Sequence, residues 1–407
     1  MADIVIAGGG IGGLSAALAC ARAGGQVHLY ERATEFSEVG AGIQLGPNVV
    51  RVLHSWGLKD VLPGVVGFPT RVQFRSAVSG AVLGELPLGA DMVRRYGAPY
   101  VTIHRGDLHA LLVQIVRQYA NVALHLNNAV VGLAQADASV TAHLADTQQV
   151  QGDVLVAADG AWSALRQQVL HDGKPQPTGH LAYRAMVRQS DLPKKLQSQQ
   201  VTAWFGPHLH VVQYPVRGGD WLNVVAIVHG QVLGDMSNWD QSANAADLQR
   251  VMQGTYAPLN DLIHAIDSWR LWPLSIRPPM RGAHEHALGR VVLLGDAAHP
   301  MVPYLAQGAA MAMEDAATLA QVLGAGGLFS EGARAATACA QIPALLKDFA
   351  NQRWQRNARV QKRAIKNGEI YHLTGPLRLG RDLAMRVLGT QLLDQPWLYG
   401  GGPLVAS

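Results

Sequence analysis

Gly8, Gly10 and Gly13 fall on the spacing G-x-G-x-x-G, and an acid, Glu31, follows 18 residues after the last of them. Glycine at the first position permits a tight turn. At the second it lets backbone approach a pyrophosphate, and at the third it lets a helix pack closely on the preceding strand. A helix opening there, with Ile11 and Gly12 inside the turn, would offer free N–H groups and a partial positive charge to phosphate. An acid at the distance of Glu31 is placed to accept from a ribose hydroxyl. The apolar run 3–7, the alanine- and leucine-rich run 14–23 and the run 26–30 supply strand, helix and strand around the turn. The alternative is a bland tight turn. Strand, helix and acid all in place favour a dinucleotide site, without saying which dinucleotide.

Two more acids stand at the ends of apolar runs. Residues 154–158 lead into Asp159-Gly160 and then a helix carrying Ser163 and Arg166. Alone this is an ordinary strand–turn–helix junction; beside a dinucleotide site it reads as a second phosphate or ribose contact. Residues 290–294 lead into Gly295-Asp296 and, through His299 and Pro303, into a helix carrying Glu314 and Asp315. Both acids would converge with the glycine turn in the crevice at the carboxyl ends of the strands. So distributed a site exceeds what a simple dehydrogenase needs, and with no second glycine fingerprint it favours a flavin. Arg105, just before a helix start, is either an anion ligand or a surface charge. The glycine-rich loop 36–48 passes close to something, Asn48 is a candidate cap for a helix over 49–56, and Asp107 for the helix after it.

A third group lies on a different kind of element. His210 and Tyr214 are four apart on a strand-like run, hence on one face, and His208 shares their parity. A histidine titrates in the right range to accept a proton near neutral pH, and a tyrosine can hydrogen-bond an oxygen of a bound molecule. The bland alternative is a strand with a satisfied histidine. Strand-like pieces recur at 182–188, 201–204, 208–215 and 221–229, with turns at Gly206-Pro207 and Gly218-Gly219; 70–88 reads as a hairpin around Gly80. Together they predict an antiparallel sheet in a second domain. A helix is expected over 249–269. His104 and His109 flank a helix start and read as structural.

Length and composition set the frame. The chain has 407 residues, 49% hydrophobic and 15% charged, a formal net charge of +4 and a pI near 9.1. It is long enough for two or three domains. No apolar run reaches the roughly 18 residues of a membrane span. Two cysteines, Cys20 and Cys339, make neither a disulfide framework nor a metal site, so no metal is expected and a cytoplasmic setting is the default. The basic run Lys347, Arg353, Arg356, Arg359, Lys362, Arg363 and Lys366 reads as a solvated helix face rather than a nucleic-acid surface, since no nucleic-acid motif accompanies it. The tail from Gly400 to Ser407 reads as frayed.

Taken in order, Gly8-x-Gly10-x-x-Gly13 with Glu31-Arg32, Asp159-Gly160 with Ser163 and Arg166, and Gly295-Asp296 with His299-Pro300 resemble one family. Over nearly its whole length the chain resembles the single-component FAD-dependent aromatic hydroxylases of the para-hydroxybenzoate hydroxylase fold. The stretches from Tyr304 through Gln307 to Asp315, and Gln213-Tyr214-Pro215, are most similar to the branch of salicylate hydroxylase, 3-hydroxybenzoate 6-hydroxylase and 6-hydroxynicotinate 3-monooxygenase. The resemblance implies an α/β fold: a Rossmann-like FAD-binding βαβ domain, an inserted substrate domain on an antiparallel sheet, and a helical C-terminal region. The expected limits are 1–70, 96–180 and 275–335 for the first, 71–95 and 181–274 for the second, and 336–407 for the third.

By the same resemblance FAD is bound, NADH or NADPH is used transiently, and O2 is the co-substrate. A small phenolic or hydroxylated aromatic ring, carboxylated by analogy, is hydroxylated through a flavin hydroperoxide. Gly8, Gly10, Ile11, Gly12 and Gly13 would hold the pyrophosphate and Glu31 the adenosine ribose. Arg32, Gln44, Arg105 and the backbone at Val130 would line the rest of the ADP and ribityl chain. Asp159 and Asp296 would contact FAD, and the amides of Gly308 and Ala309 would face the flavin pyrimidine edge. His210, Tyr214 and Gln307 would be the catalytic group, with Arg184 a candidate for a substrate carboxylate; His299 reads as flavin support. A homodimer is one assembly left open, the sequence does not fix the oligomeric state, and no nucleic-acid partner is expected. The rival readings are a flavin oxidase or dehydrogenase on the same scaffold, and a non-catalytic flavin-binding protein.

Overall fold

The computed structural model describes residues 2–37, 40–230, 241–330 and 333–403, so the last four residues of the expected frayed tail lie outside it. Five strands lie parallel in the order Val291–Leu293, Val154–Ala157, Asp3–Ala7, Gln26–Tyr30 and Val122–His125, and Ala287–Leu288 adds an antiparallel edge. The strands are near-continuous apolar runs because both faces of the sheet are covered. Ile4 and Ile6 join the core formed with helices Ile11–Arg22 and Gly308–Ala325. Val5 and Ala7 join the core under a three-stranded antiparallel sheet of Val130–Gln135, Val140–Leu144 and Gln149–Gly152. The glycine turn is sterically obligatory. A Cβ on Gly13 would lie 1.9 Å from the Gly8 carbonyl oxygen, and one on Gly8, whose φ is +105°, would lie 2.5 Å from that of Ala158.

A second sheet has eight strands, in the order Gln241–Ala243, Trp269–Ile276, Gln176–Arg188, Trp221–His229, Leu209–Val216, Val201–Gly206, Arg71–Ser76 and Val82–Pro87. Every neighbouring pair is antiparallel except Val201–Gly206 against Arg71–Ser76, which is parallel. Helices Ala245–Val251 and Ala257–His264 cover one face, where Val211 is buried among them. The opposite face turns toward the C-terminal helices Ile342–Tyr371 and Gly375–Leu388. Period-two alternation sends Val211 to one side and His210 and Val212 to the other.

The helix Gly308–Ala325 is the shared wall of both halves. It buries Glu314 and Asp315 completely, against the long helix Ile342–Tyr371. Arg353 donates from Nη1 to Glu314 at 2.9 Å and from Nε to Asp315 at 2.8 Å. Arg356 adds two bonds to Glu314, His299 Nε2 lies 2.5 Å from Asp315, and Asn48 Nδ2 donates to Glu314 at 2.8 Å. Burial by itself would raise the Asp315 carboxyl; His299 and Arg353 outweigh it and hold the group far below its ordinary value. Among the described residues no helix is long and apolar enough to cross a membrane.

The parallel sheet, the largely antiparallel second sheet and the helical C-terminal region agree with the expected fold class, and several local expectations do not survive. Asn48 caps nothing: the helix begins at Pro47, with Gly46 at its N-cap, and the Asn48 amide is committed to Gln307 and Glu314. Asp107 sits in the first turn of helix Arg105–Val116 and pairs with Arg217 instead of capping. The stretch 249–269 splits, because Gly254 at φ +79° ends one helix, Pro258 opens the next, and Trp269 begins a strand. His208 lies in a turn at φ +57°, outside the strand that begins at Leu209. The basic run divides by burial, with Arg359 exposed along with the lysines. Its lysines are exposed, while Arg353 is buried, Arg356 is tied to Glu314 and Arg359 lies over the Trp397 ring. Replacing Arg353 by methionine leaves two buried acids under-compensated, and a stability loss of about 3–5 kcal/mol is expected in urea unfolding. A loss below about 1 kcal/mol would remove the cluster from its structural role.

Candidate active site

The register Ala7↔Ala157↔Leu293 aligns the carboxyl ends of three neighbouring strands. Gly8, Asp159 and Asp296 therefore emerge side by side along one edge of the sheet. The glycine turn is held from several directions. Gly8 donates to the Tyr30 carbonyl at 2.8 Å, Gly9 donates to Glu31 Oε2 at 2.6 Å, and His109 Nε2 lies 2.8 Å from the Gly9 carbonyl. Glu31 also accepts from Ala33 N at 2.8 Å, so its carboxylate is fixed at the end of its strand. His109, read from sequence as structural, buttresses the turn.

Asp159 accepts from Leu165 N at 3.3 Å through one oxygen, while the other is buried with no partner. Burial raises its pKa above the ordinary carboxyl value, against the hydrogen bonds from Ser163 and the following backbone. Asp296 is exposed although Leu294, Gly295, Ala297 and Ala298 around it are buried. Its Oδ1 lies 3.9 Å from the place a Cβ on Gly308 would take, so it adjoins the start of helix Gly308–Ala325. That helix and Ile11–Arg22 both begin without a side-chain cap. Their first N–H groups are left for something else. An orphaned acid oxygen, an open acid in a buried run and two uncapped helix starts fit a group with a pyrophosphate and a polar ring edge, as FAD has. Arg32 is exposed; Arg105, Val130 and Ala309 are part-buried.

A cavity of about 640 Å³ lies between the second sheet, the C-terminal helices and the loop 303–306 that runs into Gly308. His210 and Gln44 line it, with Tyr304, Tyr371, Arg363 and Arg381 among its polar groups. Tyr100 donates to Gln44 Oε1 at 2.7 Å and orients it. Tyr214 and Gln307 are not among the lining residues. The Tyr214 hydroxyl donates to the Gly42 carbonyl at 2.5 Å, and Gln307 accepts from Asn48 at 3.1 Å. Arg184 is buried against Trp272, its guanidinium 5.3 Å from the ring, and does not line the cavity. His299 is fully buried against Asp315.

His210 is buried, and desolvation, with His180 nearby, lowers its pKa to about 3. It is a neutral imidazole at neutral pH. Arg381 is spent on the Ile370 and Tyr371 carbonyls and on Asp382. Arg363 is part-buried, and its Nε–H is buried without an acceptor. Sequence reasoning missed Arg363, Tyr304, Tyr371 and His372. Arg363 lies seven residues beyond Arg356, nearly two full helical turns, so both fall on one side of the helix.

Asp296→Ala is expected to fold and to lose flavin on dilution, read as the absorbance retained after gel filtration. Full flavin occupancy in that variant would take Asp296 out of the cofactor site.

The FAD binding domain family matches residues 1–327. The 3-hydroxybenzoate 6-hydroxylase of Polaromonas naphthalenivorans is 34% identical over 400 residues, covering 98% of this chain and 95% of that protein. The 6-hydroxynicotinate 3-monooxygenase of Bordetella bronchiseptica is 36% identical over 326 residues, covering 80% of this chain and 83% of its own. Among solved structures, Klebsiella pneumoniae HpxO complexed with FAD and uric acid superposes with a TM-score of 0.81 at 26% identity, over 96% of this chain and 94% of that one. The glycine turn and the strand-end acids thus lie in a chain that belongs to the FAD binding domain family, among the FAD-dependent aromatic-ring monooxygenases.

Proposed function

We propose that this protein hydroxylates a small phenolic ring bearing a carboxylate, with FAD, NAD(P)H and O2. The observation that carries the reading is that the cavity and the cofactor crevice share one wall. The loop 303–306 lines the cavity and runs directly into Gly308, beside which Asp296 opens to the crevice. A ring in the cavity would face a cofactor held at that helix start.

When bound, FAD supplies oxidation of NAD(P)H and activation of O2; the protein supplies position, charge and a dry site. Positive charge and N–H groups at the start of an 18-residue helix favour a cofactor edge that becomes negative on reduction. Apolar side chains including Val72, Phe74, Phe205 and Val212 exclude water from the ring. A phenol has a pKa of about 10, so its conversion to an electron-rich phenolate at neutral pH needs a positioned acceptor. The neutral imidazole of His210 is that acceptor in this reading, and Tyr214 fixes the loop at Gly42 around it. Gln307 couples the helix start to Asn48. Arg363, whose Nε–H has no acceptor, takes the substrate carboxylate.

A panel of hydroxybenzoates, hydroxynicotinates and uncarboxylated phenols, run with labelled O2, tests the reaction. One labelled oxygen atom per hydroxylated product is expected; oxidised product without label would mean an oxidase or dehydrogenase instead. His210→Ala is expected to lower hydroxylation by about 100-fold or more while flavin remains bound. An unchanged rate would remove the residue from the chemistry.

Arg363→Gln is expected to raise KM about 10- to 100-fold for a carboxylated ring and to leave an uncarboxylated phenol nearly unaffected. Equal losses for both substrates would place Arg363 outside carboxylate recognition.

A further inference from the structure

Three histidines from distant stretches of chain meet where the second sheet abuts the end of the long C-terminal helix. His180 and His229 are directly opposed on neighbouring strands, with rings stacked at 4.4 Å. His372 is the C-cap of helix Ile342–Tyr371. One ring nitrogen from each lies within 4.8 Å of the other two, and His372 Nδ1 and His229 Nε2 are 3.0 Å apart. Zinc–nitrogen bonds of about 2.0–2.1 Å at tetrahedral angles set ligand nitrogens roughly 3.4 Å apart. The His372–His229 pair therefore needs to open only slightly, and His180 to close by a ring rotation. The backbone holds the frame: His208 N donates to the His372 carbonyl at 3.3 Å, and His229 N to that of His208 at 3.1 Å.

We propose that His180, His229 and His372 bind a divalent transition ion of the zinc class, and that the bound ion inhibits the protein by fixing the tautomer of His210. The inhibition rests on the hydroxylase reading above; the ion site does not. Three imidazoles suit zinc, copper or nickel rather than magnesium or calcium, which favour oxygen. Among the described residues no carboxylate is paired with the three rings, so no salt bridge has to break. Burial lowers His180 to about 4 and His372 to about 2, so both rings keep their lone pairs at neutral pH. The nitrogens turned away from the site are already held. His372 Nε2 lies 2.7 Å from His210 Nδ1, and with Nδ1 engaged by the Tyr304 hydroxyl at 2.5 Å His180 would ligate through Nε2. Contacts of this kind orient a ligand ring. His229 is exposed, His180 part-buried and His372 buried, so an ion enters from the His229 side. Three protein ligands leave a fourth position for water.

The consequence for His210 follows from proton bookkeeping within two rings. An ion on His372 Nδ1 forces the one proton of that neutral ring onto Nε2, which then donates to His210 Nδ1. His210, also neutral, must carry its own proton on Nε2. Both of its nitrogens are then occupied, and it has no lone pair with which to accept a phenol proton. Without the ion, both rings are free to carry their protons on Nδ1, which leaves His210 Nε2 open. Coordination uses three lone pairs, each ring keeps one N–H, and no electron is transferred.

The test uses the flavin-loaded protein after dialysis against a chelator. Zinc is titrated calorimetrically without substrate, so binding is read apart from any reaction. One zinc per chain with a Kd of about 1 μM or tighter is expected. X-ray absorption at the zinc edge is expected to show imidazole nitrogens at about 2.0–2.1 Å. His229→Gln, at an exposed position that does not threaten the core, is expected to weaken zinc about 10-fold or more. His264→Gln, an exposed histidine ending helix Ala257–His264, is expected to bind as the wild type does. Equal affinity in wild type and His229→Gln overturns the site, as does a first shell of oxygen alone. Inhibition is read with a phenol that the wild type turns over. Stoichiometric zinc is expected to lower hydroxylation about 10-fold or more, a chelator to restore it, and His229→Gln to need about 10-fold more zinc for the same loss. Zinc bound at the histidines with an unchanged rate overturns the inhibition. A wild type that oxygenates no phenol overturns the hydroxylase reading, and the inhibition with it, while the zinc titration still decides the site.

Discussion

The buried pair Glu314–Asp315 against Arg353 is the constraint on which the two halves of the site depend. Neighbouring acids on one helix share Arg353 and otherwise have different partners, and both are fully desolvated. Uncompensated, either would cost several kcal/mol; compensated, they lock geometry. Asp315 accepts from Gly295 N at 3.3 Å and from His299, which fixes the turn that presents Asp296. Glu314 reaches Asn48, and Asn48 reaches Gln307 at the helix start. One ion cluster thus sets the place of the open acid and of the uncapped helix start together. The acids near the crevice are therefore of two kinds: Glu314 and Asp315, fully buried in the ion cluster, and Asp159 and Asp296 at the strand ends, of which Asp296 is exposed.

Low dielectric strengthens that cluster and neutralises the histidines about the cavity. Inside the cluster it deepens the attraction between fixed opposite charges. Around His210 no acid is present among the described residues, so desolvation acts alone and every ring of the buried line is driven neutral. The same physics gives a charged cluster on one side of helix Gly308–Ala325 and a group of uncharged imidazoles where the second sheet meets the end of the long C-terminal helix. Among the described residues that line the cavity, Arg363 is the arginine with a buried donor that meets no acceptor.

What the sequence shows well is what spacing along the chain controls. Gly8 to Gly13, Glu31, Asp159 and Asp296 each belong to a strand end and its following turn, and parallel register brings neighbouring strand ends together without further information. The strands of the second sheet were legible for the same reason, from alternation and turn residues. What it shows poorly is where a polar side chain on a helix points. Arg353, Arg356 and Arg363 read as part of one solvated basic run, yet the buried positions of their helix, Phe349, Arg353, Asn357, Val360, Ala364 and Asn367, recur at three and four residues. That stripe is interrupted by polar side chains that are satisfied across the interface, so a search for apolar periodicity passes over it. Asn48 failed similarly: an asparagine before an apolar run has the form of a cap, and only tertiary structure shows its amide committed elsewhere.

The histidines make the point most sharply. His210 is visible because strand parity and family resemblance both select it, but the residue that meets its buried ring nitrogen is His372, 162 positions away at a helix terminus. Nothing local distinguishes that residue from the other histidines in the chain. Its significance comes from two ring nitrogens each meeting another imidazole within 3.0 Å, one side toward the cavity and the other toward solvent. The long C-terminal helix ends against the second sheet, so the helical region supplies the hydrogen-bond partner of His210 on its strand.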